Sequence, residues 1–244
     1  MLPKIDVPIY ETKLISTGKT VKFRPFLVKE QKLFLISSQS DDINDMINSV
    51  KQVITNCVLD DVDVDSLATF DIEHLFIQMR ARSVGEIVNL KYNCNNTVKD
   101  DKGEEKNCNN QVSVDLNLLE VEPIKNENHT NKIEITDEVG IIMKYPTFDM
   151  VNKLNIEGED FSQIIDVIIE CIDYIYDKDN VYYKKDVSKE ELLSFIENLQ
   201  QSSLEKIQKF FDTLPKIKKD VHFECKKCGY SEDITVEGLG SFFV

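Results

Sequence analysis

The chain has 244 residues, enough for one elaborated domain or two small ones with a sizeable core. Its 44 acidic and 29 basic residues give a net charge of −15, which repels phosphate backbones and anionic membranes and argues against nucleic acid and lipid surfaces as ligands. Only three histidines are present, and no glycine-rich phosphate-binding loop occurs, so the usual equipment for catalysis is missing. We therefore expect a protein that acts through contacts with other proteins.

A β-hairpin followed by helices is predicted for residues 1–85. Within residues 5–24, apolar and polar positions alternate on both sides of the turn Ser16-Thr17-Gly18-Lys19, which is typical of a hairpin. Apolar residues then recur at helical spacing, and Pro25 suits the start of the first helix. The three helices are predicted over residues 28–36, over residues 42–58 with Asp41 or Asp42 as the cap, and over residues 71–81.

Four of the six cysteines stand at the ends of strand-like segments. One strand over residues 87–92 leads into Cys94, and another over residues 112–118 follows Cys108. Two later strands, 221–223 and 234–236, frame a Cys-Lys-Lys-Cys-Gly run in which the glycine frees the backbone to curl around a metal. This two-plus-two pattern predicts a zinc ribbon whose halves lie far apart in sequence, with the ligands Cys94, Cys108, Cys225 and Cys228.

The first half of this ribbon departs from the usual spacing. A C-x-x-C partner for Cys94 would fall at Thr97, whereas Cys108 comes only after a charged run over residues 99–106. We interpret this run as an insertion that lengthens the loop of the first half-site. Such an insertion is tolerable because the entropy of loop closure grows only logarithmically with loop length.

Other interpretations of these cysteines stay open at this point. The four residues are unrelated thiols or two disulfides in one alternative, and His222 replaces a missing ligand in another. No signal peptide or apolar span is visible, so we expect a reducing cytosol, where disulfides are disfavoured. Four thiolates leave a zinc ion without an open coordination position, so we expect the metal to be structural. Cys57 and Cys171 fall on apolar helical faces and are predicted to be core residues.

Residues 121–216, between the two halves of the ribbon, are predicted to form a mainly helical insert. The segment opens with a polar linker over residues 122–131 and a short pair of strands near residues 133–135 and 141–143. A strongly apolar helix is expected over residues 161–176. Two capping boxes mark later helix starts, one from Ser188 to Glu191 and one from Ser202 to Glu205.

These elements together predict an α+β fold. An N-terminal hairpin with helices occupies residues 1–85, a split zinc-ribbon-like unit occupies residues 86–120 and 217–238, and the insert occupies residues 121–216. Residues 239–244 form an apolar tail, Leu-Gly-Ser-Phe-Phe-Val, which either folds back onto the body or enters a groove of a partner. A zinc ion held by both halves of the ribbon would tie residues 94–228 into one closed unit.

The N-terminal region also resembles a known family. The stretch Leu2-Pro3-Lys4-Ile5, the turn at residues 16–19 and, above all, the run F-R-P-F-L-V-K-E at residues 23–30 are similar to the T4-like bacteriophage baseplate proteins. The resemblance continues to the terminal C-x-x-C. It implies a protein of a contractile-tailed phage that has no enzymatic activity and acts in forming the central hub of the baseplate, with other hub proteins as partners.

The resemblance leaves several properties open. The protein is either a hub subunit that stays in the virion tail or an assembly chaperone confined to the host cytoplasm, and its oligomeric state is not determined. A zinc-ribbon adaptor that binds nucleic acid or the host transcription machinery is the alternative function, which the acidic charge disfavours. A metal-dependent hydrolase ranks last, because only His222 lies near the cysteines. Within the run at residues 23–30, we expect Phe23 and Phe26 to pack at the junction between hairpin and helix.

Overall fold

The computed structural model describes residues 3, 5–37, 43–99, 103–147, 149–150 and 161–238. The helices are α1 (Val28–Ser37), α2 (Ile43–Cys57), α3 (Thr69–Ser83), α4 (Phe161–Glu170), α5 (Lys189–Glu197) and α6 (Gln201–Asp212). The strands are β1 (Tyr10–Lys13), β2 (Thr20–Phe23), β3 (Ile87–Asn93), β4 (Thr97–Lys99), β5 (Glu105–Asn107), β6 (Gln111–Asn117), β7 (Pro123–Ile124), β8 (Lys132–Glu134), β9 (Gly140–Met143), β10 (Ile172–Tyr176), β11 (Val181–Tyr183), β12 (Lys216–Glu224) and β13 (Ser231–Glu237). Helices combine with small antiparallel sheets, so the predicted α+β class is confirmed.

The N-terminal hairpin and the three helices behind it form as predicted. β1 pairs with β2 so that Tyr10 lies opposite Phe23, and the hairpin packs on α2 and α3 around a shared core. Cys57 is fully buried in this core, as predicted. The predicted cap of α2, Asp41 or Asp42, lies outside the described residues. Among the residues that the structure describes, no helix combines the length and the apolar character needed to span a membrane.

The run at residues 23–30 has a structural role at the junction of hairpin and helix. Phe23 and Phe26 are buried in the N-terminal core, as predicted. Glu30 is fully buried, and its carboxylate accepts hydrogen bonds from the guanidinium of Arg24 at 2.9 Å and from the backbone N–H of Leu27 at 2.8 Å. A buried charge is tolerated only when it is paired and hydrogen-bonded, and Arg24 supplies the opposite charge.

The split ribbon consists of two antiparallel hairpins. β3 pairs with β6, and β12 pairs with β13 over seven residue pairs from Lys218 with Glu237 to Glu224 with Ser231. The charged run expected to be a plain loop instead contains the short hairpin of β4 and β5, which pair from Thr97 with Asn107 to Lys99 with Glu105. The segment expected to be a linker also contains β7, which pairs with the first residues of β12. That pairing joins the point where the chain leaves the ribbon, at residues 123–124, to the point where it returns, at residues 216–217. We call this point the neck.

The insert contains more β structure than predicted. A sheet in the order β11-β10-β9-β8 packs against α4, α5 and α6 around a separate core that includes Cys171. The prediction of one helix over residues 161–176 was wrong, because the helix ends at Glu170 and Ile172–Tyr176 is a strand. β10 pairs with β9 on one side and β11 on the other, so sheet hydrogen bonds replace helical ones beyond Cys171.

One of the two predicted capping boxes is present. The hydroxyl of Ser188 accepts from the N–H of Glu191, and the carboxylate of Glu191 accepts from the N–H of Ser188. The prediction at Ser202 was wrong, because α6 begins at Gln201 with Gln200 as a cap that makes no side-chain hydrogen bond. Ser203 is buried inside the first turn of this helix and is not at its end.

Helix α3 joins the N-terminal unit to the ribbon. One side of the helix contributes Leu75, Phe76 and Met79 to the N-terminal core, and another contributes Phe70 and Ile77 to the core beneath the ribbon strands. The hairpin is tied to the start of this helix by Asp71, a fully buried residue. Its carboxylate accepts from the backbone N–H groups of Ile15 at 2.5 Å and Ser16 at 3.1 Å, and from the hydroxyl of Ser16.

We expect Asp71→Ala to lower the free energy of unfolding by about 2–4 kcal/mol, because it leaves the buried N–H of Ile15 and the partly buried donors of Ser16 without an acceptor. The exposed Asp61 is the matched control, and Asp61→Ala should change stability by less than about 0.5 kcal/mol. Urea unfolding of both variants measures the difference. Equal stabilities for the two variants would show that Asp71 does not hold the hairpin to α3.

Candidate metal centre

The second half-site is a tight turn between β12 and β13. The N–H of Cys225 donates to the carbonyl of Tyr230 at 2.8 Å, and the N–H of Gly229 donates back to the carbonyl of Cys225 at 2.8 Å. Gly229 has a φ of 73°, in the left-handed region that glycine adopts without a steric penalty. The turn therefore places Cys225 and Cys228 side by side, as the sequence predicted for this run.

The first half-site repeats this turn despite its long insertion. The N–H of Cys94 donates to the carbonyl of Asn110 at 2.9 Å, and the N–H of Asn109 donates to the carbonyl of Cys94 at 3.0 Å. Asn109 has a φ of 47° and occupies the position that Gly229 occupies in the other turn. Asparagine is one of the few non-glycine residues that tolerate this conformation. The two half-sites are thus equivalent in backbone hydrogen bonding.

The insertion in the first half-site begins and ends at neighbouring positions in space. The N–H of Cys108 donates to the carbonyl of Asn96 at 2.8 Å, which closes the base of the β4–β5 hairpin. The hairpin therefore projects from the turn without separating Cys94 from Cys108. This closure explains how the first half-site keeps its shape although its cysteines are far from a C-x-x-C spacing.

The structure brings the four predicted cysteines together. Their Sγ atoms all lie within 4.8 Å of one another, with 3.6 Å between Cys94 and Cys228 and 3.8 Å between Cys108 and Cys225. A zinc–sulfur distance of about 2.3 Å in a tetrahedron implies sulfur–sulfur separations of about 3.8 Å. The separations of 3.6 Å and 3.8 Å are therefore close to those in a tetrahedral zinc site.

The alternative ligand His222 and the two predicted core cysteines lie elsewhere. His222 is exposed on β12, where its Nδ1 lies 2.8 Å from a carboxylate oxygen of Asp233 on the neighbouring strand. Cys57 and Cys171 are buried in the N-terminal core and in the core of the insert. The cluster of sulfur atoms therefore consists of the four ribbon cysteines and excludes these three residues.

Hydrogen-bond donors surround the sulfur atoms in the same pattern in both half-sites. The Sγ of the first cysteine of each pair accepts from the backbone N–H two residues later, at Asn96 and at Lys227. The second cysteine accepts from the N–H two residues later, at Asn110 and at Tyr230. Two amide side chains add to these donors across the centre, from Asn96 to Cys228 at 3.6 Å and from Asn110 to Cys225 at 3.5 Å.

These surroundings divide the thiols into two kinds. Burial raises the pKa of Cys225, but the N–H groups of Cys228 and Lys227 outweigh burial and lower the pKa to about 6. The pKa of Cys228 is also lowered, by the amide of Asn96 and then by the N–H of Tyr230. Burial raises the pKa of Cys94 to about 12. The C-x-x-C half-site therefore provides thiolate, the form of cysteine that binds metals, more readily than Cys94 does.

Asn96, Asn109 and Asn110 were not singled out from the sequence. Their signal is the tripeptide Cys-Asn-Asn, which occurs at residues 94–96 and again at residues 108–110. The repeat supplies sulfur-directed donors after each cysteine. At the second occurrence it also supplies a residue that accepts the left-handed conformation.

We expect Asn109→Val to destabilise the protein by about 1–2 kcal/mol, because a β-branched residue is disfavoured at this φ. Asn109→Gly is the matched control and should be neutral or slightly stabilising, since glycine occupies the equivalent position 229. Thermal unfolding of the two variants gives the comparison. If valine and glycine have the same effect, the turn does not require a left-handed residue.

Comparison with known proteins identifies the family of this chain. Neither the curated proteins nor the solved structures contain a match to the chain. A family model described as "T4 bacteriophage base plate protein" matches residues 7–244, which include the hairpin, both half-sites of the cysteine centre and the insert. The protein belongs to the T4 bacteriophage base plate protein family.

Proposed function

We propose that this baseplate protein acts in assembly of the central hub, either as a hub subunit or as an assembly chaperone. The observation that carries the proposal is the family match over residues 7–244, which points to the virion tail and to other baseplate proteins as partners. The residue chemistry agrees with a role in protein contacts and not in catalysis. The four clustered thiols would fill the coordination sphere of a metal, and a catalytic zinc needs an open position.

The cysteine centre is proposed to hold one structural zinc ion through Cys94, Cys108, Cys225 and Cys228. Three of these residues are buried, and the spacing of their sulfur atoms suits a tetrahedron. Bound zinc would join two segments that are far apart in the sequence, so metal binding would stabilise the folded ribbon directly. The aromatic rings of Tyr92 and Phe223 pack beside the centre with 6.4 Å between their centroids and shield it from water.

The alternative of a nucleic-acid adaptor has no support in the ribbon surface. The basic residues that the sequence suggested for such an adaptor are a row of lysines at the start of β12, together with Lys226 and Lys227 in the second turn. Lys218 lies opposite Glu237 on β13, and Lys219 lies 3.7 Å from Glu120. Acidic neighbours therefore offset this row, and the whole chain carries a net charge of −15 that opposes binding to phosphate.

Protein purified without chelator should contain one zinc ion per chain, measured by atomic emission. Cys225→Ser should lose most of the zinc and lower Tm by about 5 °C or more, because loss of a structural metal is among the largest effects of a single substitution. Cys57→Ala, a cysteine outside the centre, should keep the wild-type zinc content. A zinc content well below one ion per chain in the wild-type protein would contradict the metal proposal, and so would zinc retained by Cys225→Ser.

The hub role is tested by affinity purification from infected cells. A tagged copy of the protein should be recovered with hub precursors, and the same tag should be sought in purified virions. Presence in virions identifies a hub subunit, and association with precursors alone identifies a chaperone. Recovery with no baseplate protein in either fraction would contradict the hub role while leaving family membership untouched.

A further inference from the structure

An apolar surface lies where α1 meets the end of α3. Leu35 and Ile36 on α1 are 60 % and 59 % exposed, and Val84, just after α3, is 59 % exposed. Leu35 and Val84 border a cleft of about 290 Å³ whose floor contains Phe26, Phe34 and Phe76. We call this surface the α1–α3 patch, defined by Leu35, Ile36, Val84 and the cleft.

The patch follows from a continuous apolar run on α1. Leu33 and Phe34 pack partly against the N-terminal core, whereas the next two residues, Leu35 and Ile36, are largely exposed. A helix that is apolar on two sides is normally covered on both. In a chain with 30 % charged residues, adjoining exposed apolar side chains of this size mark a contact surface.

Three parts of the chain outside the described residues are long enough to cover the patch, and their sequences differ. Residues 38–42, next to α1, are Ser-Gln-Ser-Asp-Asp and have no apolar side chain. Residues 151–160 contain three large apolar residues but join α4 directly, next to an apolar groove lined by Ile164, Ile168, Leu204 and Phe211. Residues 239–244 contain Leu239, Phe242, Phe243 and Val244 and follow Gly238 directly.

The position of Gly238 brings the tail within reach. Gly238 lines a cleft together with Thr69 and Glu73 in the first turns of α3. Arg80 follows Glu73 by seven residues, so it lies two turns along the same side of the helix, at a rise of about 10 Å. Arg80 and Phe76 line the cleft of the α1–α3 patch. An extended chain covers about 13 Å in the four residues from Gly238 to position 242, a length sufficient to span the distance to this cleft.

We propose that the tail, residues 239–244, docks onto the α1–α3 patch of the same molecule, with Phe242 and Phe243 in the cleft over Phe34 and Phe76. The floor already contains edge-to-face ring pairs, with centroid separations of 5.6 Å between Phe26 and Phe34 and 5.4 Å between Phe34 and Phe76. Two further rings extend this arrangement. The proposal is independent of the hub role and selects between the two fates that the sequence leaves open for the tail.

The absence of tryptophan from the chain provides a direct test. In Phe242→Trp, tryptophan fluorescence reports on the tail alone. The emission should be blue-shifted relative to the urea-unfolded protein and protected from acrylamide quenching, and it should not change on dilution. Adding Leu35→Ser and Ile36→Ser should shift the emission to the red and remove the protection. These two side chains are exposed, so the variant should keep the fold, as circular dichroism will verify.

The matched control is Ile164→Ser, which alters an exposed apolar residue of the groove beside α4. It should leave the blue-shifted emission unchanged. A red, fully quenchable emission in the otherwise unaltered protein would overturn the proposal. So would an emission that responds to Ile164→Ser and not to the patch substitutions. A blue shift that disappears on dilution would assign the contact to a second copy of the chain and would also contradict docking within one molecule.

Discussion

The meeting of the two cysteine turns is the constraint on which the rest of the structure depends. The sulfur atoms of Cys94 and Cys228 approach to 3.6 Å although 134 positions separate them. The intervening insert must therefore leave the ribbon and return to the same place. The short pairing of β7 with the start of β12 meets this requirement, because Pro123 lies opposite Ile217 at the neck. The insert can then build its own sheet and core without disturbing the ribbon.

Helix α3 is a second connection in the fold, because it contributes side chains both to the N-terminal core and to the core beneath the ribbon strands. The carboxylate of Asp71 in this helix accepts hydrogen bonds from the hairpin turn. The hairpin is therefore held to the helix by polar contacts as well as by apolar packing. The buried Glu30 and the partly exposed Arg24 form an ion pair at the start of α1. Phe23, Arg24, Phe26 and Glu30 of the characteristic run at residues 23–30 therefore have a structural role. These residues position the start of α1.

The asymmetry between the two half-sites suggests an order of events for a metal ion. The C-x-x-C turn is short, is formed by residues close in sequence, and holds the thiols with lowered pKa values. The first half-site has to close the β4–β5 hairpin before its cysteines adjoin. Closing a longer loop costs more entropy, although the cost rises slowly with length. If the centre holds the zinc ion that we propose, the compact turn is the better place for its first contact.

The sequence by itself determined the features that depend on local chemistry. Alternation around Gly18 predicted the first hairpin, helical spacing predicted α1 to α3, and the Ser188 capping box predicted the start of α5. It also identified the four cysteines that the fold brings together. These signals lie within a few residues of one another, or rest on a side chain with few alternative uses, so they can be recognised without the fold.

The tertiary structure decided what depends on distant partners. Ile172–Tyr176 has enough apolar residues to continue a helix, and it becomes a strand because β9 and β11 lie on either side of it. Ser202 does not cap α6, because the helix already begins at Gln201, and Ser203 is buried within the first turn. The equivalence of Asn109 and Gly229 appears only when the backbone hydrogen bonds of both turns are compared. At these positions the pairing partners, the burial and the backbone angle depend on residues that are distant in the sequence, so the local pattern of residues does not specify them.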